Sequence, residues 1–122
     1  MDIDKLSECI ELLKKQMGSS LLATSIVSTS DAQAIADYNS KPGADSIFIE
    51  VTNLINDSLK KGYPLLGKYY LLDLQENNML IVLPLGEYQW VIAADTTKAK
   101  LGLIMNVVLP DAVSAFENAL NG

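Results

Sequence analysis

Between Leu65 and Asp95 the hydrophobic positions fall into three short runs separated by turn residues. Lys68 to Leu74 is rich in strand-forming residues, and Glu76-Asn77-Asn78 is a turn. Met79 to Leu83 is an almost unbroken apolar run, and Gly86-Glu87 turns into Tyr88 to Ala93. Runs bounded by Asn and Gly at this spacing are hairpin signals. The central run shows no alternation of polarity, so both its faces are expected to be covered. A small sheet covered on both sides makes a three-layer architecture.

Helical periodicity flanks this meander. Ile3, Leu6, Ile10, Leu13 and Met17 recur at helical spacing and predict an amphipathic helix over 2–17, ended by Gly18 as a left-handed cap. Leu21 to Ser28 reads as a strand, Thr29-Ser30-Asp31 as a turn, and Gln33 to Tyr38 as a second strand. Ala44 to Lys61 is a second helix, with Ile47, Phe48, Val51, Leu54, Ile55 and Leu59 on a broad apolar stripe and Gly62 as its cap. Ile49 lies off that stripe, beside Asn53, Asn56 and Lys60. Thr96-Thr97 is expected to cap a last helix from about Lys98 to Leu120, which Pro110 should kink or break. Leu103 and Val107, on its otherwise polar face, are expected against the first helix rather than a partner. The element order is α-β-β-α-β-β-β-α in a single domain, 1–122, of class α/β (α+β).

Composition narrows the function. The chain has 122 residues, a net charge of −6, no His and nine basic residues, all of them Lys. An acidic surface without Arg is a poor match to nucleic acid or anionic lipid. The acidic start Met1-Asp2-Ile3-Asp4 is unlike a signal peptide, and no apolar run has the length of a membrane span. With a single Cys9, a reducing, cytoplasmic setting is expected. Without His the commonest general base and metal ligand are missing, and without Arg there is no bidentate phosphate clamp. No catalytic residue, cofactor or metal site is expected, and no enzymatic activity.

Several motifs resemble sites without meeting their physical requirements. Gly62 to Lys68 matches most of a phosphate-binding loop, but Tyr69 stands where a small hydroxyl must meet magnesium. A helix also precedes it and a strand follows, the reverse of the order that aims a helix N-terminus at the anion. Asn56-Asp57-Ser58 matches a glycosylation acceptor but falls inside a helix. Tyr69-Tyr70, Tyr88 and Trp90 lack, apart from Lys68, the interleaved cations of a nucleic-acid stacking platform. Cys9 reads as a small core residue.

From about Leu21 to Leu120 the chain resembles the Roadblock family, named for a dynein light chain and including bacterial partners of Ras-like GTPases. Leu22 to Ser28 followed by Ala34-Ile35-Ala36 resembles the opening hairpin. Gly67 to Leu72 followed by Met79 to Leu85 resembles the meander, and Leu101-Gly102-Leu103 the start of the last helix. Asp31-Ala32 replaces the Asp-Gly often found in the first hairpin, so Ser30 or Asp31 is expected to carry the turn in its place.

The resemblance implies a five-stranded antiparallel sheet, with the second helix on one face and the terminal helices on the other. It also implies a homodimer through the second helix and the first meander strand, with Phe48, Ile55, Leu59, Lys68, Tyr69, Tyr70 and Leu72 at the interface. An open β-rich edge independently favours such pairing. The expected function is a non-enzymatic homodimeric scaffold or regulator for a small GTPase, docked on Ile49, Asn53, Asn56 and Lys60. The alternatives are an acidic dimeric secretion chaperone, whose three strands usually precede the middle helix, and a profilin-like ligand-sensing domain, which needs a pocket with convergent polar groups.

Overall fold

The computed structural model describes residues 2–121. α1 (Ile3–Met17) is followed by a short turn and by β1 (Leu21–Ser28) and β2 (Ala34–Tyr38). Then come α2 (Ala44–Leu59), β3 (Tyr70–Leu74), β4 (Asn78–Leu85), β5 (Tyr88–Asp95) and the last helix, α3 (Leu101–Asn121). The five strands form one antiparallel sheet in the order β2-β1-β5-β4-β3. The order of elements and the class match the sequence reading.

The two faces of the sheet are unequally covered. On one, α1 and α3 enclose the main core, where Ile26, Ile81, Leu83, Trp90 and Ile92 meet Leu6, Leu13, Ile104 and Phe116. Trp90 stands edge-on to Phe116, with ring centroids 5.6 Å apart, and its Nε1 donates to the Thr24 hydroxyl at 2.7 Å. Trp90 is therefore a core residue whose one polar atom is satisfied. On the other face the buried apolar cluster is small, Leu80, Val82 and Val91, with Phe48, Tyr70, Leu72 and Ala93 packed partly against it.

Several boundaries differ from the expected ones for local reasons. The predicted strand from Lys68 begins at Tyr70. Tyr70 faces Val82, so Lys68 would face Pro84, which has no N–H to offer a ladder. The predicted cap at Thr96-Thr97 does not form. Thr97 donates instead to the Asp95 carboxylate, through its N–H at 2.9 Å and its hydroxyl at 2.6 Å, and α3 begins only at Leu101. Gly62 does not cap α2 in the left-handed region; it donates to Leu59 O at 3.1 Å within a turn. Gly18 does have positive φ, but with ψ −132° it lies outside the left-handed helical basin.

Pro110 neither breaks nor ends the last helix. A wide turn over Ile104–Val108 precedes it, in which the Leu109 N–H reaches back to Ile104 O. That π-type turn places the irregularity before the proline, and the helix continues to Asn121. Leu103 and Val107 are not buried under α1 as expected; they are 49% and 46% exposed. α1 runs mainly beside the later part of α3, from Asp2 N–H on Ala119 O to Gln16 on Asp111. α3 has the length and hydropathy of a membrane-crossing segment, but Ile104, Val108, Leu109, Ala112, Phe116 and Ala119 are committed to the core.

The first hairpin also departs from expectation. Ala32 itself adopts a left-handed conformation, with φ 58°. Hydrogen bonds from its N–H to Ser28 O and from Gln33 N–H to the Asp31 carboxylate hold it there, both at 3.0 Å.

Candidate functional site

α2 is an apolar helix that is barely buried. Among its 16 residues only Thr52 is buried. Ile47 and Leu54 are 57% and 59% exposed, while Phe48, Val51, Ile55 and Leu59 are half-buried. The stripe is wider than the sheet can cover because the helix touches mainly β5, in the middle of the sheet. Ile47 and Leu54, with the half-buried Val51 between them, form a largely exposed seam at helical spacing. This seam continues onto an open edge, since β3 pairs only with β4. The free side of Tyr70–Leu74 carries backbone groups with no partner strand.

A polar cluster seats α2 on the sheet. The Thr52 hydroxyl lies 2.6 Å from the Tyr70 hydroxyl, 2.7 Å from Gln89 Oε1 and 2.9 Å from Phe48 O. It has one proton, so Tyr70 donates to Thr52 while Thr52 donates toward Gln89 and its own helix. The Tyr70 hydroxyl is raised above its ordinary pKa by burial, an effect that its bond to Thr52 opposes. Gln89 Nε2 is buried and makes no hydrogen bond within the described residues.

The predicted interface residues divide into three groups. Phe48, Tyr70 and Leu72 come together over Leu80, Val82 and Val91. Ile55 and Leu59 lie half-buried further along α2. Lys68 and Tyr69 precede the strand and are exposed, with Lys68 Nζ 3.1 Å from the Glu117 carboxylate of α3. The sequence reading puts Ile47 and Leu54 on the broad stripe without separating its covered part from its exposed part; both are largely exposed. Thr52 and Asp45 are the polar residues of α2 that bond to the sheet, Thr52 through Tyr70 and Gln89 and Asp45 through Ser25.

Of the predicted docking residues, Ile49, Asn53 and Asn56 line one cleft of about 230 Å3 with Leu65, Leu66 and Tyr88. Asn56 Oδ1 accepts from the Leu66 N–H at 2.9 Å and so fixes the wall of that cleft. Lys60 stands outside it, 3.5 Å from Asp57. Cys9 is buried in the main core, its thiol pushed up to about 11 by burial and then by Glu8, which leaves it unreactive.

No family model and no curated protein matches the chain in sequence. Its likeness to known proteins lies in its structure, and it places the chain in a class: the molecule has the Roadblock fold. The Roadblock/LC7 domain from Streptomyces avermitilis superposes with a TM-score of 0.68 at 11% identity, covering 100% of both chains. The likeness extends to MglB. Myxococcus xanthus MglB gives a TM-score of 0.80 at 13% identity, over 98% of this chain and 90% of that one. The gliding protein MglB from Thermus thermophilus gives 0.69 at 16%, over 95% and 88%.

Proposed function

We propose that this protein is a homodimeric Roadblock-type regulator of a small Ras-like GTPase, acting as a scaffold in the cytoplasm. One observation carries the reading: a 16-residue helix with a single buried residue, Thr52, lies beside an unpaired strand edge. Joining two β3 edges extends the sheet across a two-fold axis, and the seams of the two α2 helices then cover each other. An interface of this kind typically buries about 1,600 Å2 in total.

The GTPase rests on the likeness to the Roadblock domain and to MglB. A protein without Arg cannot insert an arginine finger, so any effect on hydrolysis works by positioning the GTPase's own groups. The cleft of Ile49, Asn53 and Asn56 is the docking surface in this reading, with Lys60 at its margin. The test is co-purification with a Ras-like GTPase encoded beside it, followed by a hydrolysis assay. Ile49→Asp combined with Lys60→Glu is expected to abolish co-purification and leave the dimer intact. Unchanged capture of the GTPase by that variant removes the docking site from the proposal.

A further inference from the structure

At the other end of α2 a second cavity is built from small residues. Ala23 and Ser25 on β1, Ala93 on β5 and Ala44 at the start of α2 leave a hollow of about 290 Å3. Leu22, Phe48, Leu80 and Val91 also line it, giving it an apolar interior, and Asn39, Ser40 and Lys41 form its lip. Asn39 and Gly43 both have positive φ, with φ 54° and 83°, which bends this loop back over the sheet. Cavities that hold small ligands run from about 300 to 1,000 Å3, so this one suits a small occupant.

One charged group faces the hollow from the helix. Asp45 accepts a single hydrogen bond, from the Ser25 hydroxyl at 3.3 Å, and has no cation partner among the described residues. Its carboxyl is raised above the usual range by burial first; the Ser25 bond opposes this, and Asp37 adds to it. Lys41 stands on the lip without pairing to it. The local charges are thus a half-buried carboxylate, another acid nearby and the exposed Lys41 on the lip, which is not paired to Asp45, with apolar walls beside them. A cation brought to Asp45 relieves the cost of burying that charge, and an apolar body covers the walls.

We propose that this cavity binds a small organic monocation, a primary amine carrying an apolar body, with Asp45 as its counter-ion. The proposal does not rest on the dimer: Phe48 borders the interface surface, but a monomer would bind the same amine. The test is an NMR titration of the isotopically labelled full chain with 2-phenylethylamine. The uncharged 2-phenylethanol and the anionic 3-phenylpropanoate are titrated in parallel. The amine is expected to give saturable shifts centred on Ala23, Ser25 and Ala93. The alcohol and the acid should bind at least about tenfold more weakly, because they lack the charge-assisted bond. Asp45→Asn should weaken the amine by a similar factor, and Ala93→Leu, which fills the hollow without touching the charge, should abolish its binding. Equal affinity for amine and alcohol, an unchanged affinity in Asp45→Asn, or no saturable shift would overturn the proposal. Should Asp45→Asn fail to fold, the amine-to-alcohol ratio on the native chain and the Ala93→Leu variant decide it.

Discussion

Two residues carry unfavourable conformations or environments that simple substitutions should relieve. Ala32 holds φ 58° at the tip of the first hairpin. A residue with a Cβ costs about 1–2 kcal/mol there, and glycine regains most of that after its larger loss of entropy. Ala32→Gly is therefore expected to stabilise the fold by about 0.5–1 kcal/mol, a rise in Tm of roughly 2–5 °C by calorimetry. Asp45 is the second case. Its pKa is raised above 3.8 on folding, so the folded state binds the proton more tightly than the unfolded state. Ser25, Asp37 and Lys41 are the polar and charged groups around it, and burial outweighs the Ser25 bond. The penalty is fully present above the folded-state pKa and fades as pH falls through it toward 3.8. Asp45→Asn should unfold at a higher urea concentration than the native chain at pH 7, with the gap closing as the solution is acidified. A gap independent of pH would show that the carboxyl charge is not the cause.

At the scale of the element, the Thr52 cluster is the most buried polar contact between α2 and the sheet. Thr52→Val preserves the shape of the side chain but leaves the Tyr70 hydroxyl and Gln89 without their partner. The expected loss is about 1–3 kcal/mol in urea unfolding, since the variant strands buried polar groups. Tyr70→Phe, which removes one group of the same cluster cleanly, should cost less. The elements themselves were legible because each carries a local signal. The period of Leu6, Ile10 and Leu13 fixes α1, and the dense apolar run of β4 requires cover on both faces. What escaped the sequence depends on neighbours distant along the chain. Whether Lys68 joins β3 is decided by Pro84 across the ladder, and Thr97 is drawn to Asp95 rather than to a helix. A helical wheel locates the apolar stripe of α2 but not which part of it the sheet covers. Nothing in that stripe marks Ile47 and Leu54 as its exposed side. The cavity at Asp45 was equally hidden, because Ala23, Ser25 and Ala93 come from two strands and are unremarkable in each.

At the scale of the molecule the question is what covers α2. A lone exposed Ile or Leu is ordinary on a protein surface. A seam of Ile47, Val51 and Leu54 continuous with an open strand edge is different, because it joins unburied apolar area to unpaired backbone groups. A second copy satisfies both at once, whereas a chaperone client or a small ligand would satisfy only one. The native chain is expected to sediment near twice 13.3 kDa. Ile47→Lys combined with Leu54→Lys should yield monomer at the same concentration, with an unchanged circular dichroism spectrum. Burying each of these side chains contributes about 1.5–3 kcal/mol, so together they should weaken association by at least about a hundredfold. Val107→Lys lies on an exposed apolar site outside the proposed interface and should leave the dimer unaffected. A native chain that sediments as monomer, or a dimer dissolved by Val107→Lys and not by the α2 pair, would move the interface to the opposite face of the sheet or remove it.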